Sequence, residues 1–204
     1  RDITANGNLG NVDTYTVSNT FTLTATADQI DGIAVDGDGS LTVNGTATGT
    51  TDVSNLSADT VDLTAADLTG GAVTWMTVAA GDDLRVTSAQ ATGQTIGAAA
   101  DATAVITVTG LAADANLANV GNATATVNAL VEADRDITAN GNLGNVDTYT
   151  VSNTFTLTAT AAQVTGKTVD GAGSLIVEAL AEDSDLTNVN PGGGVTALVE
   201  ADRD

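Results

Sequence analysis

The chain has 204 residues, of which 42% are hydrophobic and 2% aromatic, and 26 acidic against 5 basic residues give a net charge of −21. This charge disfavours nucleic acid and anionic membrane surfaces as partners, because few cations are present to replace the counterions of a polyanion. The lack of histidine and cysteine excludes the usual nucleophile–base pairs, disulfides and thiolate metal sites. No run of 18 apolar residues occurs, so we expect no membrane insertion, and any export signal is expected outside this sequence.

A long internal repeat opens the chain. Arg1–Val43 returns as Arg135–Val177 with 36 of 43 positions identical, and its first 27 residues are unchanged. Ala197–Asp204 likewise repeats Ala129–Asp136, which predicts a period of 202 residues. We therefore predict one continuous array over 1–204, with three divergent sub-repeats at 1–67, 68–134 and 135–202, and with 203–204 beginning the next copy.

A short motif, [Asp/Asn]-[Leu/Val]-x-Asn-[Val/Leu], sets the length of the smallest unit. Its copies are Asn8–Val12, Asp52–Leu56, Asn116–Val120, Asn142–Val146 and Asp185–Val189. Their spacings of 44, 64, 26 and 43 residues are close to multiples of about 22, a length typical of one coil of a parallel β-solenoid. Because the motif's asparagines then share one phase of the coil, we expect a structural ladder in which each amide bonds the neighbouring coil. Its members are Asn11, Asn55, Asn119, Asn145 and Asn188.

Short alternating segments between these motifs predict strands. A second pattern, Leu-x-x-x-x-x-Gln…Gly…Val/Ile…Leu/Ile-x-Val, begins at Leu23, Leu84 and Leu157. Its apolar positions would point inward and its threonines outward, with turns at the Asn-Gly and Asp-Gly pairs. The predicted fold is all-β: a right-handed parallel β-helix of about nine coils, roughly 43 Å long at ~4.8 Å per coil. The alternative is a row of small antiparallel β-sandwiches.

Differences between the long copies test this assignment of faces. Thr42 is replaced by Ile176 while its apolar neighbours on both sides stay apolar, which indicates an outward position. Ile33 is replaced by Lys167, which indicates a site exposed to solvent at a strand start. Neighbouring near-identical β segments invite mispairing, and an acidic surface opposes this through self-repulsion.

Several acidic turns are candidates for calcium. Asp36-Gly-Asp-Gly resembles the centre of a calcium loop, in which closely spaced carboxylates converge on the ion around a glycine turn. The second copy loses one of these carboxylates, and no Gly-Gly-x-Gly-x-Asp repeat occurs. The candidates are Asp36, Asp38, Asp82, Asp83, Glu182 and Asp183, and the alternative is a set of solvated acidic turns.

Enzymatic roles are weakly supported. The single lysine, Lys167, stands where the other copy has isoleucine, and Asp82 and Asp83 are adjacent, so on a strand they would point to opposite faces. We expect Asp83 and Arg85 to form a surface pair and Trp75 to be a core or coil-end contact. Thr-x-Thr runs, such as Thr22/Thr24/Thr26, are compatible with ice binding but are also ordinary outward strand residues. We predict a protein that is not an enzyme.

The composition, the Gln-containing module and the [Asp/Asn]-Leu-x-Asn-Val motif resemble the β-solenoid repeat regions of giant bacterial cell-surface proteins, namely S-layer subunits and type I secreted adhesins. The resemblance implies an extracellular or cell-surface location, often with calcium, and supplies no catalytic residue. The expected function is a structural repeat of a fibre, surface layer or adhesin stalk whose partners are copies of itself. The alternative is a ligand-binding solenoid, either a calcium-dependent adhesin or a binder of ice or carbohydrate.

Overall fold

The computed structural model describes residues 1–6, 12–100, 103–122 and 125–199. Every strand pair within these ranges is parallel. The chain forms a parallel β-solenoid of about nine turns with very little helix. The predicted fold class is therefore confirmed, and the alternative of antiparallel sandwiches is wrong.

Most strands are two to six residues long, and the two longest, β3 and β5, have 13 and 12 residues. The described residues begin with a 3₁₀ turn at Thr4–Asn6. The strands are β1 Thr14–Thr16, β2 Thr22–Thr26, β3 Ala34–Thr46, β4 Thr51–Asp52, β5 Leu56–Asp67, β6 Val73–Thr74, β7 Thr77–Val78, β8 Asp83–Thr87, β9 Gly97–Ala98, β10 Val105–Thr109, β11 Thr126–Val131, β12 Arg135–Asp136, β13 Thr148–Val151, β14 Thr156–Thr160, β15 Thr168–Gly171, β16 Ser174–Glu178 and β17 Val195–Ala197. Three four-residue helices are α1 Ala27–Ile30, α2 Ser88–Ala91 and α3 Ala161–Val164.

The main sheet runs along the solenoid axis in the order β1, β3, β5, β8, β10, β11, β13, β15, with β2 also paired to β3. A second sheet, β12, β14, β16 and β17, forms another side of the later coils. Apolar residues of successive coils are stacked on one another in the main sheet. The inward column, defined by successive Cα partners, contains Leu23, Leu41, Val61, Leu84, Ile106 and Val127. Successive members are 18 to 23 residues apart, which agrees with the coil length predicted from the motif spacing.

The core is a continuous stack of Val, Leu, Ile and Ala along the axis. Tyr149 is the largest side chain that is fully buried in it. Thr42 and Ile176 are half-buried at outward positions of their strands, between fully or nearly fully buried neighbours. Because aliphatic residues are buried on coil after coil, hydrophobic stabilisation is spread along the stack in proportion to its buried apolar area.

Glycines shape the corner between two sides of a coil. A Cβ added at Gly39 would lie 2.6 Å from the Ser18 carbonyl oxygen, and one at Gly173 would lie 2.5 Å from the Ser152 carbonyl oxygen. The coil turns here in two residues fewer than the coil beneath it, since the Cα partners are 20 apart before the corner and 18 apart after it. The Asp36-Gly-Asp-Gly segment thus has a steric reason for its glycines that requires no ion.

Candidate functional site

The glutamine of the repeated module joins neighbouring coils. In α2, Gln90 is nearly buried, and its Oε1 accepts a hydrogen bond from the Thr87 amide at 2.7 Å. Its Nε2 donates to the carbonyl oxygens of Leu63 at 2.9 Å and Ala66 at 2.7 Å on the preceding coil. Gln29 and Gln163 repeat this arrangement, as caps of α1 and α3 and as donors to carbonyl groups one coil away. The Thr-x-x-Gln spacing of a capping box was the signal in the sequence that could have identified them.

Asn55, Asn119 and Asn145 each directly precede a buried Leu or Val, and Asn188 precedes the half-buried Val189. The carbonyl oxygens of Asn55, Asn119 and Asn188 accept hydrogen bonds at 3.1 to 3.3 Å from amides of the coil beneath. The Nδ2 atom of Asn145 donates to the carbonyl oxygens on either side of Asn119, at 2.9 and 3.1 Å. Asn11 lies outside the described residues.

The structure brings only part of this set together. Asn119 and Asn145 lie on neighbouring coils, whereas the coil carrying Lys167 separates Asn145 from Asn188. Asn55 donates to Gly32 at 3.4 Å, a longer contact than those of Asn145. The side-chain amides of Asn55 and Asn145 thus bond backbone carbonyl groups of the preceding coil, whereas Asn119 and Asn188 contact the neighbouring coil through their own carbonyl oxygens.

Asn140 makes a similar contact that the sequence reasoning missed, because the Asn-Gly pair predicted only a turn. Its side chain is 8% exposed, and its Nδ2 donates to the carbonyl oxygens of Ala113 at 3.0 Å and Ala115 at 2.8 Å. Its Oδ1 accepts from the Asn142 amide at 2.9 Å. Asn140 thus satisfies three backbone groups between two coils, which a turn residue pointing to solvent would not do.

Many of the acids cap turns. In Asp-x-Thr and Asp-x-Ser segments the carboxylate accepts a hydrogen bond from the amide two residues on, as Asp136 does from Thr138 at 3.0 Å, with a second bond from the Thr138 hydroxyl at 2.7 Å. These bonds favour the charged form and lower the carboxyl pKa. The pKa is lowered in this way at Asp2, Asp52, Asp67, Asp136 and Asp185. Some of the acidic residues therefore stabilise local turns.

The calcium candidates lie at three separate places: Asp36 and Asp38 in β3, Asp82 and Asp83, and Glu182 and Asp183. Asp36 is half-buried in β3 and Asp38 is exposed at the glycine corner, while Glu182 and Asp183 are exposed on the last coil. In the second copy the counterpart of Asp36, Asp170, accepts a hydrogen bond from the Thr150 hydroxyl at 2.7 Å. Within the described residues no group of three or more acidic side chains is arranged to hold a metal ion. Calcium at these residues stays a prediction.

Asp82 and Asp83 lie beside Asp59 of the preceding coil. Burial raises the pKa of Asp82, and the negative charges of Asp59 and Asp83 raise it further. Burial also raises the pKa of Asp83, although the positive charge of Arg85 acts in the opposite direction. This is the one described place where carboxylates from two coils act on each other in this way.

Arg85 and Trp75 both make contacts between coils. The Arg85 guanidinium lies 3.9 Å from the carboxylate of Asp62 on the neighbouring coil, so its ion pair is with that residue and the predicted pairing with Asp83 is only an electrostatic influence. Trp75 is half-buried against the core, and its Nε1 donates to Gln94 Oε1 at 3.1 Å. Trp75 therefore joins two coils and does not present an exposed ring on which a sugar could stack.

The residues that directly follow the inward column along each strand form an outward column, and their side chains differ in chemical type. Its successive members are Thr24, Thr42, Asp62, Arg85, Thr107, Asn128, Thr148 and Thr168. Charged and amide side chains interrupt the threonines in the middle of the column. The regular array of threonine that ice binding would use is absent from this column.

Of the two tyrosines, only Tyr149 is fully buried. Its hydroxyl has no hydrogen-bond partner in the described structure, and burial raises its pKa. The ring borders a pocket of about 310 Å³ that is also lined by Asn140, Gln163 and Lys167. Because the lining includes polar side chains, the pocket suits an ordered water molecule.

No family model matches the chain, and neither the curated proteins nor the solved structures contain a significant match to it. The chemistry of the molecule must therefore be inferred from its own contacts. No helix among the described residues is long and apolar enough to cross a bilayer. The side-chain contacts of Gln90, Asn140, Asn145, Arg85 and Trp75 join neighbouring coils, which makes the stacking of coils the best candidate for function.

Proposed function

We propose that the chain is a non-enzymatic structural repeat that forms a stiff rod in an extracellular fibre, surface layer or adhesin stalk. The observation that carries this proposal is the uninterrupted order of parallel strands from β1 to β15 along one axis. Removing one coil from such a rod requires all the backbone hydrogen bonds between two coils to be broken, because each coil is bonded to the next over several residues.

Contacts outside the strands support the same role. Gln90, Asn140 and Asn145 each donate to two carbonyl groups of an adjacent coil. These bonds tie the loops and corners, which in a solenoid are the parts least restrained by the sheets. A molecule whose corners are bonded between coils resists bending as well as extension.

The proposed location rests on composition. The absence of cysteine, the acidic composition and the repeated modules of this chain resemble those of giant bacterial surface proteins. Immunogold labelling of intact source cells with antibodies against this chain tests the location. We expect label at the cell surface; label that requires permeabilised cells contradicts it.

The shape and stiffness can be tested on the chain itself. Small-angle X-ray scattering should give a rod of one-coil cross-section, and stretching between two reference domains in an atomic force microscope should give unfolding in small steps as coils are removed one at a time. The reference domains are the internal control for force. A globular scattering profile, or extension at negligible force, would contradict a load-bearing role.

A further inference from the structure

The two long copies differ most in charge at one short segment. Of the seven positions that differ between Arg1–Val43 and Arg135–Val177, four change the charge, and three of these four lie within residues 28–33. The replacements there are Asp28 by Ala162, Asp31 by Thr165 and Ile33 by Lys167. Segment 28–33 therefore carries two negative charges, whereas 162–167 carries one positive charge. In a chain this acidic, three changes in one direction create a local site of positive potential.

Two of the replaced positions border a pocket of the second copy. The pocket has a volume of about 310 Å³, and its lining includes Ala162 and Lys167. Gly141, Gly144 and Ala162 are exposed, so the pocket is accessible from solvent. None of the described lining residues is acidic. At about 30 Å³ per water molecule the space equals about ten water-sized groups, which is enough for a small organic molecule.

The Lys167 ammonium lacks a counter-ion in the described structure. Its Nζ donates to the Gly144 carbonyl oxygen at 3.2 Å, which uses one of its three donors. The ion pair found among the described residues is that of Arg85 with Asp62, so no described carboxylate neutralises Lys167. Because the side chain is half-buried, an anion bound to it is partly removed from water and is attracted more strongly than at an exposed lysine.

Tyr149 adds a hydrogen-bond donor to the same pocket. Its side chain is fully buried and lines the pocket, and its hydroxyl has no partner in the described structure. Burial raises the pKa of Tyr149, so the phenol keeps its proton at neutral pH and can donate. A buried hydroxyl without a partner destabilises the fold, and an acceptor in the pocket would remove that cost.

The amide side chains beside the pocket are already occupied. Gln163 and Asn140 each bond three backbone groups through their side chains. Leu143 and Ala162 contribute apolar surface to the lining. The groups that remain for a ligand are thus one cation and one phenol next to apolar side chains.

We propose that this pocket binds a small organic carboxylate, whose charged group pairs with Lys167 and accepts a hydrogen bond from Tyr149 while its apolar body contacts Leu143 and Ala162. An inorganic anion would leave the apolar surface uncovered, and a neutral molecule would leave the ammonium without a counter-ion. The carboxylate displaces the water that the pocket otherwise suits. This inference does not depend on the role as a rod, and it gives the second copy a site that the first, with isoleucine in place of lysine, lacks.

The chain has two tyrosines, which allows the site to be observed directly. Labelling with fluorotyrosine gives one fluorine NMR signal for each, and Tyr149→Phe assigns them. Tyr15 is the internal control, because its hydroxyl also lacks a partner in the described structure while its copy has Ile33 in place of lysine. The probes are butyrate, its neutral isostere butyramide, and inorganic phosphate.

We expect butyrate to shift the Tyr149 signal saturably in the millimolar range and to leave the Tyr15 signal in place. Lys167→Ile, which introduces the residue of the first copy, should weaken butyrate binding at least about tenfold. Arg85→Gln is the matched control: it also removes one positive charge, but in β8, three strands from β13 along the main sheet. It should bind butyrate as the unmodified chain does.

Saturation-transfer NMR of butyrate with the unlabelled chain repeats the measurement without fluorine and extends it to Tyr149→Phe, which should also bind more weakly. Circular dichroism establishes that each variant is folded. No saturable binding of butyrate by the unlabelled chain would overturn the proposal, as would undiminished binding by Lys167→Ile. Binding of butyramide or phosphate as tightly as butyrate would overturn it too, because the site would then not recognise a carboxylate with an apolar body.

Discussion

Single glycines allow the backbones of two coils to approach closely at the corner. Gly173 does not have a positive φ, so an alanine there is resisted only by space, with the Val151 side chain and two carbonyl oxygens within 2.6 Å of the new Cβ. Gly173→Ala should therefore lower the free energy of unfolding by about 1–3 kcal/mol through overpacking. Gly144→Ala is the matched control, since nothing lies within 4 Å of its Cβ. Equal urea midpoints for the two variants would show that the corner relaxes without cost.

Gln90 serves two roles that one substitution separates. Gln90→Glu keeps an oxygen for the Thr87 amide but replaces the donor to Leu63 and Ala66 by a second acceptor. We expect a loss of about 1–3 kcal/mol at neutral pH, because two carbonyl groups would then face a carboxylate. Thermal unfolding at pH 7 and at about pH 4 provides the check, since a protonated glutamate regains a donor. A loss independent of pH would assign the stabilisation to the cap of α2.

The turn-capping aspartates make stability depend on pH in a known direction. Hydrogen bonds from Thr138 lower the folded-state pKa of Asp136 below its usual value of 3.8. The stabilisation is therefore fully present above the unfolded-state pKa, and it is lost as the pH falls through the lower folded-state value. Asp136→Ala should lower the melting temperature at pH 7 and have little further effect near pH 2, whereas Asp136→Asn, which keeps an acceptor, should be milder. Parallel pH profiles for the wild type and Asp136→Ala would contradict this role.

At the scale of elements, the sequence was sufficient to predict the length of the coil and the buried positions of its strands. It was insufficient to predict the structure of the corners. The spacing of the Asn motif predicted a coil of about 22 residues, and the alternation around Leu41 and Leu175 predicted which side chains are buried. The helices α1 to α3 were not predicted, because four residues are too few to show a helical period. Contacts such as that of Asn140 with Ala113 were also not predicted. Which residues of two adjacent coils meet at a loop depends on local insertions, and the spacing of the Asn motif does not reveal these.

A whole coil should be removable, because the unit that stacks is the coil and not a domain. Leu84 pairs with Ile106 and Arg85 with Thr107, so deletion of residues 85–106 joins Leu84 to Thr107 in the place that Arg85 occupied. The shortened chain should keep its β circular dichroism and cooperative unfolding, with a rod about 4.8 Å shorter. Deletion of residues 85–95, about half a coil, is the control and should abolish cooperative unfolding by placing apolar residues outside. Equal stability of the two deletions would mean that register is not set by coil length.

At the scale of the whole molecule, a net charge of −21 and an isoelectric point near 4.1 keep copies of the chain apart at neutral pH. The near-identical segments Arg1–Val43 and Arg135–Val177 favour mispairing between copies, which the acidic surface opposes, whereas the fold itself is held by the core.

This balance predicts association that increases as the pH approaches 4.1, while the fold persists because the capping aspartates protonate only at lower pH. Static light scattering from pH 8 to 3.5, with circular dichroism of the same samples, should show scattering rising before any loss of β signal. Sodium chloride at about 0.5 M should shift the neutral samples in the same direction, since the screening length falls to a few ångströms. If scattering rises only together with unfolding, association comes from the exposed core and not from relief of repulsion between folded rods.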